Sequence, residues 1–246
     1  MSNKKRLDLR LLELFPERSR TQVTSLIMQG LVTVDGQVIT KAGTLIDEES
    51  HIDIAEHHEQ FVCRAGYKLA EALEHFAVPV AGKIALDAGL STGGFTDCLL
   101  QAGAAKVYGV DVGYGQAHEK IRIDERVVVM ERTNLRHLQE LPELVDLVTL
   151  DLSFISVLKV MDAILQVCTP SASLIVLIKP QFEAERQQVG RGGIIRDPVV
   201  HAEVVERLTA GIAAYGFTCH GVIESPILGG SGNKEFLAYF TRISSA

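Results

Sequence analysis

The chain has 246 residues, 47 % of them hydrophobic and 22 % charged, with a formal net charge of −7. That length holds one large domain or a small and a medium one, and the apolar share is that of an ordinary globular protein. The acidic balance excludes nucleic-acid binding driven by overall charge and leaves only a binder whose basic residues are segregated.

Some segregation is present. Residues 1–20 carry Lys4, Lys5, Arg6, Arg10, Arg18 and Arg20 against Asp8, Glu13 and Glu17, six cations to three anions. The four cysteines, Cys63, Cys98, Cys168 and Cys219, form no CxxC pair and no zinc-like spacing with histidine. Buried thiols in a reducing compartment are expected, and no metal. No opening apolar stretch has signal-peptide length, and no run approaches the ~18 apolar residues of a membrane span. The expectation is a soluble, cytoplasmic protein with no membrane partner.

In chain order, Leu7, Leu11, Leu12 and Leu14-Phe15 recur at helical spacing. Pro16 ends that helix, because the residue before a proline disfavours the helical region. Ser19 opens a second helix. With Gln22 it forms a capping box, Val23, Leu26 and Ile27 give the apolar stripe, and Gly30 suits the C′ position. Residues 32–34 and 37–39 flank Asp35-Gly36, a two-residue hairpin signal, and 52–54 reads as a closing strand. His51, Glu56, His57, His58 and Glu59 form a polar linker. Adjacent histidines on an extended segment point to opposite faces and make no metal pair. The expected division is a first unit over 1–58, a linker over 59–67 and a second unit over 68–246.

The second unit alternates strand and helix. Residues 84–87 are an apolar run ending in Asp87, followed by Gly89-Leu90-Ser91-Thr92-Gly93-Gly94-Phe95 and a helix through Leu99 and Leu100. Strand, glycine loop, helix is the layout of a cofactor-binding first crossover. The spacing is neither GxGxxG nor a P-loop, which disfavours dinucleotides. The next strand, 107–111, ends at Asp111, placed to accept the hydroxyls of a ribose. Strands follow at 126–130 (then Thr133-Asn134), at 144–150 ending at Asp151, and at 174–178 ending at Lys179. Helices are expected over 155–168 and from Asp197-Pro198 through Val204, Leu208 and Ile212, with late strands at 217–224 and 236–241. Repeated strand–helix units imply an α/β fold, a mostly parallel sheet covered on both faces, whose ligands gather at the strands' carboxyl ends.

Two resemblances rest on these residues. Arg6-Leu7-Asp8, Ser19-Arg20, Leu26-Ile27, Gly30, Val32, Val34 and Asp35-Gly36 resemble the S-four-like RNA-binding domain, with Asp35 and Lys41-Ala42 as mild departures. That likeness implies a small α+β domain presenting basic residues to RNA phosphates. The segments 64–69, 87–97, 108–116, Arg132-Thr133-Asn134, 151–156 and 179–183 resemble the TlyA family. Its members, called hemolysin-like, join such a domain to an FtsJ-like methyltransferase. The resemblance covers nearly the whole chain. It implies a Rossmann-like sheet, S-adenosyl-L-methionine as cofactor, and 2′-O-methylation of a cytidine in ribosomal RNA, free or within a ribosomal subunit. The chain reaches Arg6-Leu7-Asp8 at once and stops soon after Phe240. It therefore resembles the shorter members, which act on the large-subunit RNA.

Lys68, Asp151, Lys179 and Glu235 each close or flank an apolar run, where an ion is costly unless paired or used. In type and order they match the tetrad of ribose 2′-O-methyltransferases. Lys179 takes the central role. Beside a second lysine it could give up its own proton and accept that of the hydroxyl, or it could remain charged and stabilise the alkoxide. Lys68 and Glu235 would hold the hydroxyl, and Asp151 would bridge donor and acceptor.

The expected cofactor contacts are Asp87, Gly89, Ser91, Gly93, Gly94, Phe95, Asp111, Val112 and Asn134. The expected RNA contacts are Lys4, Lys5, Arg6, Arg10, Arg18, Arg20, Lys41 and Arg64. Arg186, Arg191 and Arg196 lie in a glycine-rich loop suited to RNA phosphates or to covering the donor. Tyr67, Phe95, Phe154 and Phe182 are candidates to stack a base, or packing residues. Two other classes compete, an inactive methyltransferase fold serving ribosome assembly and a membrane-active cytolysin. The intact tetrad argues against the first and the lack of a spanning segment against the second.

Overall fold

Two punctuation marks shape the first unit, Pro16 and Asp35-Gly36. The computed structural model describes residues 4–16, 18–28, 31–54, 60–229 and 232–242. The chain divides into Met1–Gln60 and Phe61–Ala246. The first unit runs β1 (Lys4–Arg6), α1 (Leu7–Leu14), α2 (Arg20–Met28), β2 (Val32–Val34), β3 (Gln37–Val38), β4 (Leu45–Asp47) and β5 (Ile52–Ile54). Helix α1 stops just before Phe15-Pro16, and Ser19 leads into α2, its carbonyl accepting from Val23 N. Asp35 and Gly36 both take positive φ, 49° and 79°, as a type I′ hairpin requires, and Val34 pairs with Gln37 across it. Strand β5 closes the other side of β2.

The antiparallel pair β1–β4 carries no sequence signal. Lys-Lys-Arg has no apolar alternation, and three residues are too few to show a period. Leu7, Leu11, Val23, Ile27 and Val32 are wholly buried and form the core. Glu17, Gly30 and the linker residues 56–59 lie outside the described residues, as does the side chain of Gln22 on which the capping box depends.

In the second unit the elements are α3 (Ala65–His75), β6 (Ile84–Ala88), α4 (Gly94–Gln101), β7 (Lys106–Val110), α5 (Glu119–Arg122), β8 (Val127–Met130), β9 (Val145–Leu150), α6 (Met161–Val167), β10 (Cys168–Ile178), α7 (Pro180–Glu183), α8 (Pro198–Ala213), β11 (Phe217–Glu224) and β12 (Phe236–Arg242). They form a seven-stranded sheet in the order β11-β12-β10-β9-β6-β7-β8. Only β12 runs antiparallel to its neighbours. One buried layer includes Val148, Ile164, Val176 and Leu208, and the other Leu99, Leu147 and Ile175.

Asp197 caps α8, its carboxylate accepting from Val199 N at 2.9 Å, with Pro198 at N1 as the sequence implies. Strand β10 begins at Cys168, six residues earlier than expected. Its register shifts between Cys168 and Ser173, across Pro170, which has no N–H to give a ladder. The preceding helix is correspondingly short, a 3₁₀ turn at Val157–Val160 running into α6. Residues 61–67, expected as linker, belong to the second unit. Phe61 is buried against Gly66, where any Cβ would run into its ring, and α3 begins at Ala65.

Candidate active site

Strands β6, β7, β9 and β10 are parallel and end at one edge, and antiparallel β12 begins there. The last rung of the β10–β12 ladder is Ile178↔Phe236, so Lys179 and Glu235 occupy the next opposed positions. The rungs Ala88↔Leu150 and Leu150↔Val176 put Asp151 between β6 and β10, and its N–H donates to Ala88 O at 2.9 Å. Helix α3 brings in Lys68, whose ammonium pairs with Glu235; the two side chains are 7 % and 2 % exposed. Lys179 Nζ lies 2.6 Å from Asp151 Oδ1 and donates to Ser153 Oγ at 2.9 Å.

The four residues singled out in the sequence thus meet as two ion pairs. Each lysine has its own carboxylate. The Lys179–Asp151 contact is an ion pair by distance, yet Asp151 Oδ1 is buried with no directed hydrogen bond. The lysine ammonium is its neighbour, and the oxygen is closed off from solvent. Ser153, to which sequence alone assigns no role, is the third member of the Lys179 cluster.

The glycine loop does more than leave room for a ligand. Gly89 (φ 95°) lies against the Asp151 carbonyl, Gly93 (φ 97°) against Ile121, and Gly94 against Cys63 and Gly66 N at the start of α3. A Cβ at any of the three would collide with those atoms. The loop is therefore clamped to β9, α5 and α3 at once, which couples it to both ion pairs. Asp111, just past β7, accepts Ser91 N at 2.8 Å and Gly113 N at 2.7 Å, one on each carboxylate oxygen. Each oxygen keeps a lone pair, enough for two ribose hydroxyls.

Beside it Thr133 N donates to Asp111 O, and Asn134 stands exposed beyond the end of β8 with its Oδ1 on Arg136 N. Val112 is also exposed, next to Asp111.

Two of the expected donor contacts have side chains buried in the core. Phe95 packs into the same buried layer as Leu99 and Leu147. Asp87 is wholly enclosed, its oxygens accepting from Thr96 Oγ1 at 2.7 Å and Thr149 Oγ1 at 3.0 Å. It holds α4 and β9 to the end of β6 and acts on the loop from behind. With no cation beside it, burial pushes its carboxyl up to about 6, against the pull of the two threonine hydrogen bonds. Of the base-stacking candidates, Tyr67 packs edge-on to Phe61, while Phe154 is 89 % exposed with φ 65° and lies 4.8 Å from the Phe182 ring.

The basic residues of the first unit are largely paired. Buried Asp8 gathers Arg6 (2.9 Å) and Arg20 (3.4 Å), and these guanidinium contacts hold its carboxyl below the usual range. Lys5 and Arg10 both reach Glu13, and Arg18 lies over the Phe15 ring. Lys4, Lys41 and, at the start of the second unit, Arg64 have no ion-pair partner among the described residues. Among these residues no cluster of His, Cys, Asp and Glu could hold a metal, and no helix is long and apolar enough to cross a membrane.

The edge suits a cationic, ribose-bearing ligand. The enclosed Asp87 is a carboxyl with no ion-pair partner among the described residues, and the Asp111 lone pairs supply hydroxyl acceptors. Together with the doubly wound sheet they define an S-adenosyl-L-methionine-dependent methyltransferase. Comparison with known proteins agrees. The FtsJ-like methyltransferase family matches residues 61–242, and the S4 domain matches 5–52.

The chain is 42 % identical over 242 residues to the 16S/23S rRNA (cytidine-2′-O)-methyltransferase TlyA of Mycobacterium tuberculosis, covering 97 % of this chain and 90 % of that one. It is 32 % identical over 185 residues to the 23S rRNA (cytidine-2′-O)-methyltransferase TlyA of Campylobacter jejuni, covering 75 % and 72 %. A solved hemolysin-named protein from Streptococcus thermophilus superposes with a TM-score of 0.78 at 38 % identity, over 100 % of this chain and 90 % of that one. The chain belongs to the TlyA family.

Two of these acids give measurable expectations. Asp111→Ala removes the donor's hydroxyl acceptors and frees two loop N–H groups, so donor affinity measured by calorimetry should fall by about ten- to a hundredfold. Unchanged affinity would move the donor elsewhere. For Asp87, the folded chain holds a proton between about pH 4 and 6 that the unfolded chain has given up, so stability falls as pH rises through that window. The fall is on the order of 3 kcal/mol at about 1.4 kcal/mol per pH unit. Asp87→Asn keeps one acceptor, and Thr149 Oγ1 can turn to Leu86 O, 3.5 Å away. Thermal midpoints of this variant should lack that fall between pH 4 and 6 and match or exceed wild type at pH 7. A wild-type-like fall would mean that Asp87 is already ionised at pH 4.

Proposed function

We propose that the protein methylates the 2′-oxygen of a cytidine ribose in ribosomal RNA, in the large-subunit (23S) RNA, and works in the cytoplasm on that RNA or on a ribosomal subunit. The observation that carries the reading is the Lys179 cluster. An ammonium has three N–H donors. Ser153 takes one and Asp151 draws a second, which leaves one for an oxygen arriving at the edge. The large-subunit assignment is supported by the two relatives, since 23S is the target common to both their names.

S-adenosyl-L-methionine, when bound, supplies a methyl group made electrophilic by its sulfonium. The protein's part is positioning and charge. Asp111, Ser91, Asn134 and the loop glycines hold the donor. Lys179 acts as an ammonium, held beside the Asp151 carboxylate, and stabilises negative charge as the ribose oxygen attacks. Held by those residues, the donor would supply the methyl group to that oxygen and leave as the neutral thioether. The hydroxyl proton passes to the Asp151 carboxylate beside Lys179. Lys68 and Glu235 fix α3 against β12 and give the hydroxyl its wall. Phe154 offers an exposed ring for a base. The S4 domain anchors RNA through Lys4, Lys41 and the Asp8-ordered pair Arg6 and Arg20, and Arg64 adds a cation at the start of the second unit.

The test is mass-spectrometric mapping of ribose methylation in 16S and 23S RNA from cells with and without the gene. One methylated cytidine in 23S RNA should vanish without it. Wild type should restore the mark and Lys179→Ala should not, although the purified variant still folds and binds donor. An unchanged methylation map, or full rescue by Lys179→Ala, would overturn the reading. Disappearance of a 16S mark alone would move the target to the small subunit.

A further inference from the structure

Residues 184–197 connect α7 to α8 and carry Arg186, Arg191 and Arg196 against Glu185 and Asp197, the latter spent on capping α8. All three arginines are exposed, and none has an ion-pair partner among the described residues. Unpaired arginines on a flexible loop are commonplace, but this loop is pinned. Asn233, almost wholly buried, spends its side-chain amide on it. Oδ1 accepts Ile195 N at 3.0 Å and Nδ2 donates to Gly193 O at 2.9 Å. Buried His201 of α8 takes the other side of the same residue, Nε2 to Ile195 O at 3.2 Å, and the Ile195 side chain is itself in the core. Gly193 N closes onto Gly190 O, Gly190 N onto Ile194 O, and Gln188 reaches Glu203.

The pins lead back to the reacting edge. The segment departs from α7, which begins beside Lys179, and Asn233 stands two residues before Glu235. Two buried polar side chains committed to one loop backbone are costly unless the loop's position matters. Arginines carried on a fixed backbone give up less entropy on meeting phosphates than those on a mobile one, and the guanidinium fork matches phosphate geometry.

We propose that residues 184–196 form a preorganised wall that takes RNA phosphates beside the methyl-transfer site, and that Asn233 is the positioning residue that holds it there. The inference rests on the RNA reading above. It assigns to the methyltransferase unit a phosphate-binding surface of its own, separate from Arg64 and from the basic residues of the S4 domain.

The test uses the full chain and ribosomal RNA from cells lacking the gene. It compares wild type, the triple variant Arg186→Ala/Arg191→Ala/Arg196→Ala, and Asn233→Asp, which keeps the acceptor for Ile195 but sets a carboxylate against Gly193 O. The triple variant should raise KM for RNA at least about tenfold and flatten its log–log salt dependence by up to roughly 0.9 for each phosphate no longer engaged. Its kcat at saturating RNA and its donor affinity should stay within about twofold of wild type. Asn233→Asp should shift KM and slope in the same direction at unchanged donor affinity, because the arginines remain but their wall is displaced.

An unaltered KM and slope in the triple variant would overturn the phosphate wall. A fall in kcat alone for Asn233→Asp would make that residue a support of Glu235 and nothing more. Absence of RNA methylation by wild type would remove the RNA reading itself, and the wall with it.

Discussion

The buried pair Lys68–Glu235 is the constraint on which the site depends. It joins the first helix of the second unit to its last strand, 167 residues apart in sequence. Neither ion is accessible enough for water to replace its partner, so removing one would strand the other at a cost of about 3–5 kcal/mol. The pair fixes α3 across the end of the β10–β12 ladder. Gly94 has no side chain and so lets α4 start against α3. The glycine loop, Lys179 and the closing strand are thereby set relative to one another before any ligand arrives, and a charge-stabilising site gains most from such preorganisation.

Charge is distributed unevenly around this edge. Lys179 and Lys68 are each neutralised locally, whereas Asp87 is buried without a cation and an Asp151 oxygen lacks a hydrogen bond. Asp87 is thus the one carboxyl of this group without a cation beside it among the described residues. Burial raises the Asp87 carboxyl to about 6 for the same reason, since desolvation outweighs its two threonine hydrogen bonds. The surrounding core, including fully buried Leu86, Leu147 and Ile178, keeps water from this carboxyl.

Much of this was legible in the sequence because strand ends are chemically marked. An apolar run closed by Asp or Lys announces both the strand and its functional edge, and Asp111, Asp151 and Lys179 all stand there. Asp35-Gly36 and Asp197-Pro198 likewise act through local backbone chemistry that needs no tertiary context. What stayed hidden was tertiary. Nothing local says that Asp87 points inward to Thr96 and Thr149, or that Phe95 faces the core. The partition of the four ions into two pairs depends on the antiparallel entry of β12, which strand patterns alone do not reveal. Helices α5 and α7 are four residues each, too short to show a period, and Asn233 gave no signal because a lone asparagine before a strand usually caps a turn.

The proposed mechanism gives the chemistry to Asp151 and Lys179 and the scaffold to Lys68 and Glu235. The most direct test is single-turnover methyl transfer to ribosomal RNA at saturating donor, comparing wild type with Asp151→Asn. The substitution preserves shape but removes the charge that pairs with Lys179 and the acceptor for the hydroxyl proton. A fall in rate of about a hundredfold or more, with donor affinity changed by less than about tenfold, is the predicted result. A rate within about twofold of wild type would contradict it and leave the ion pair at the strand ends as structure alone.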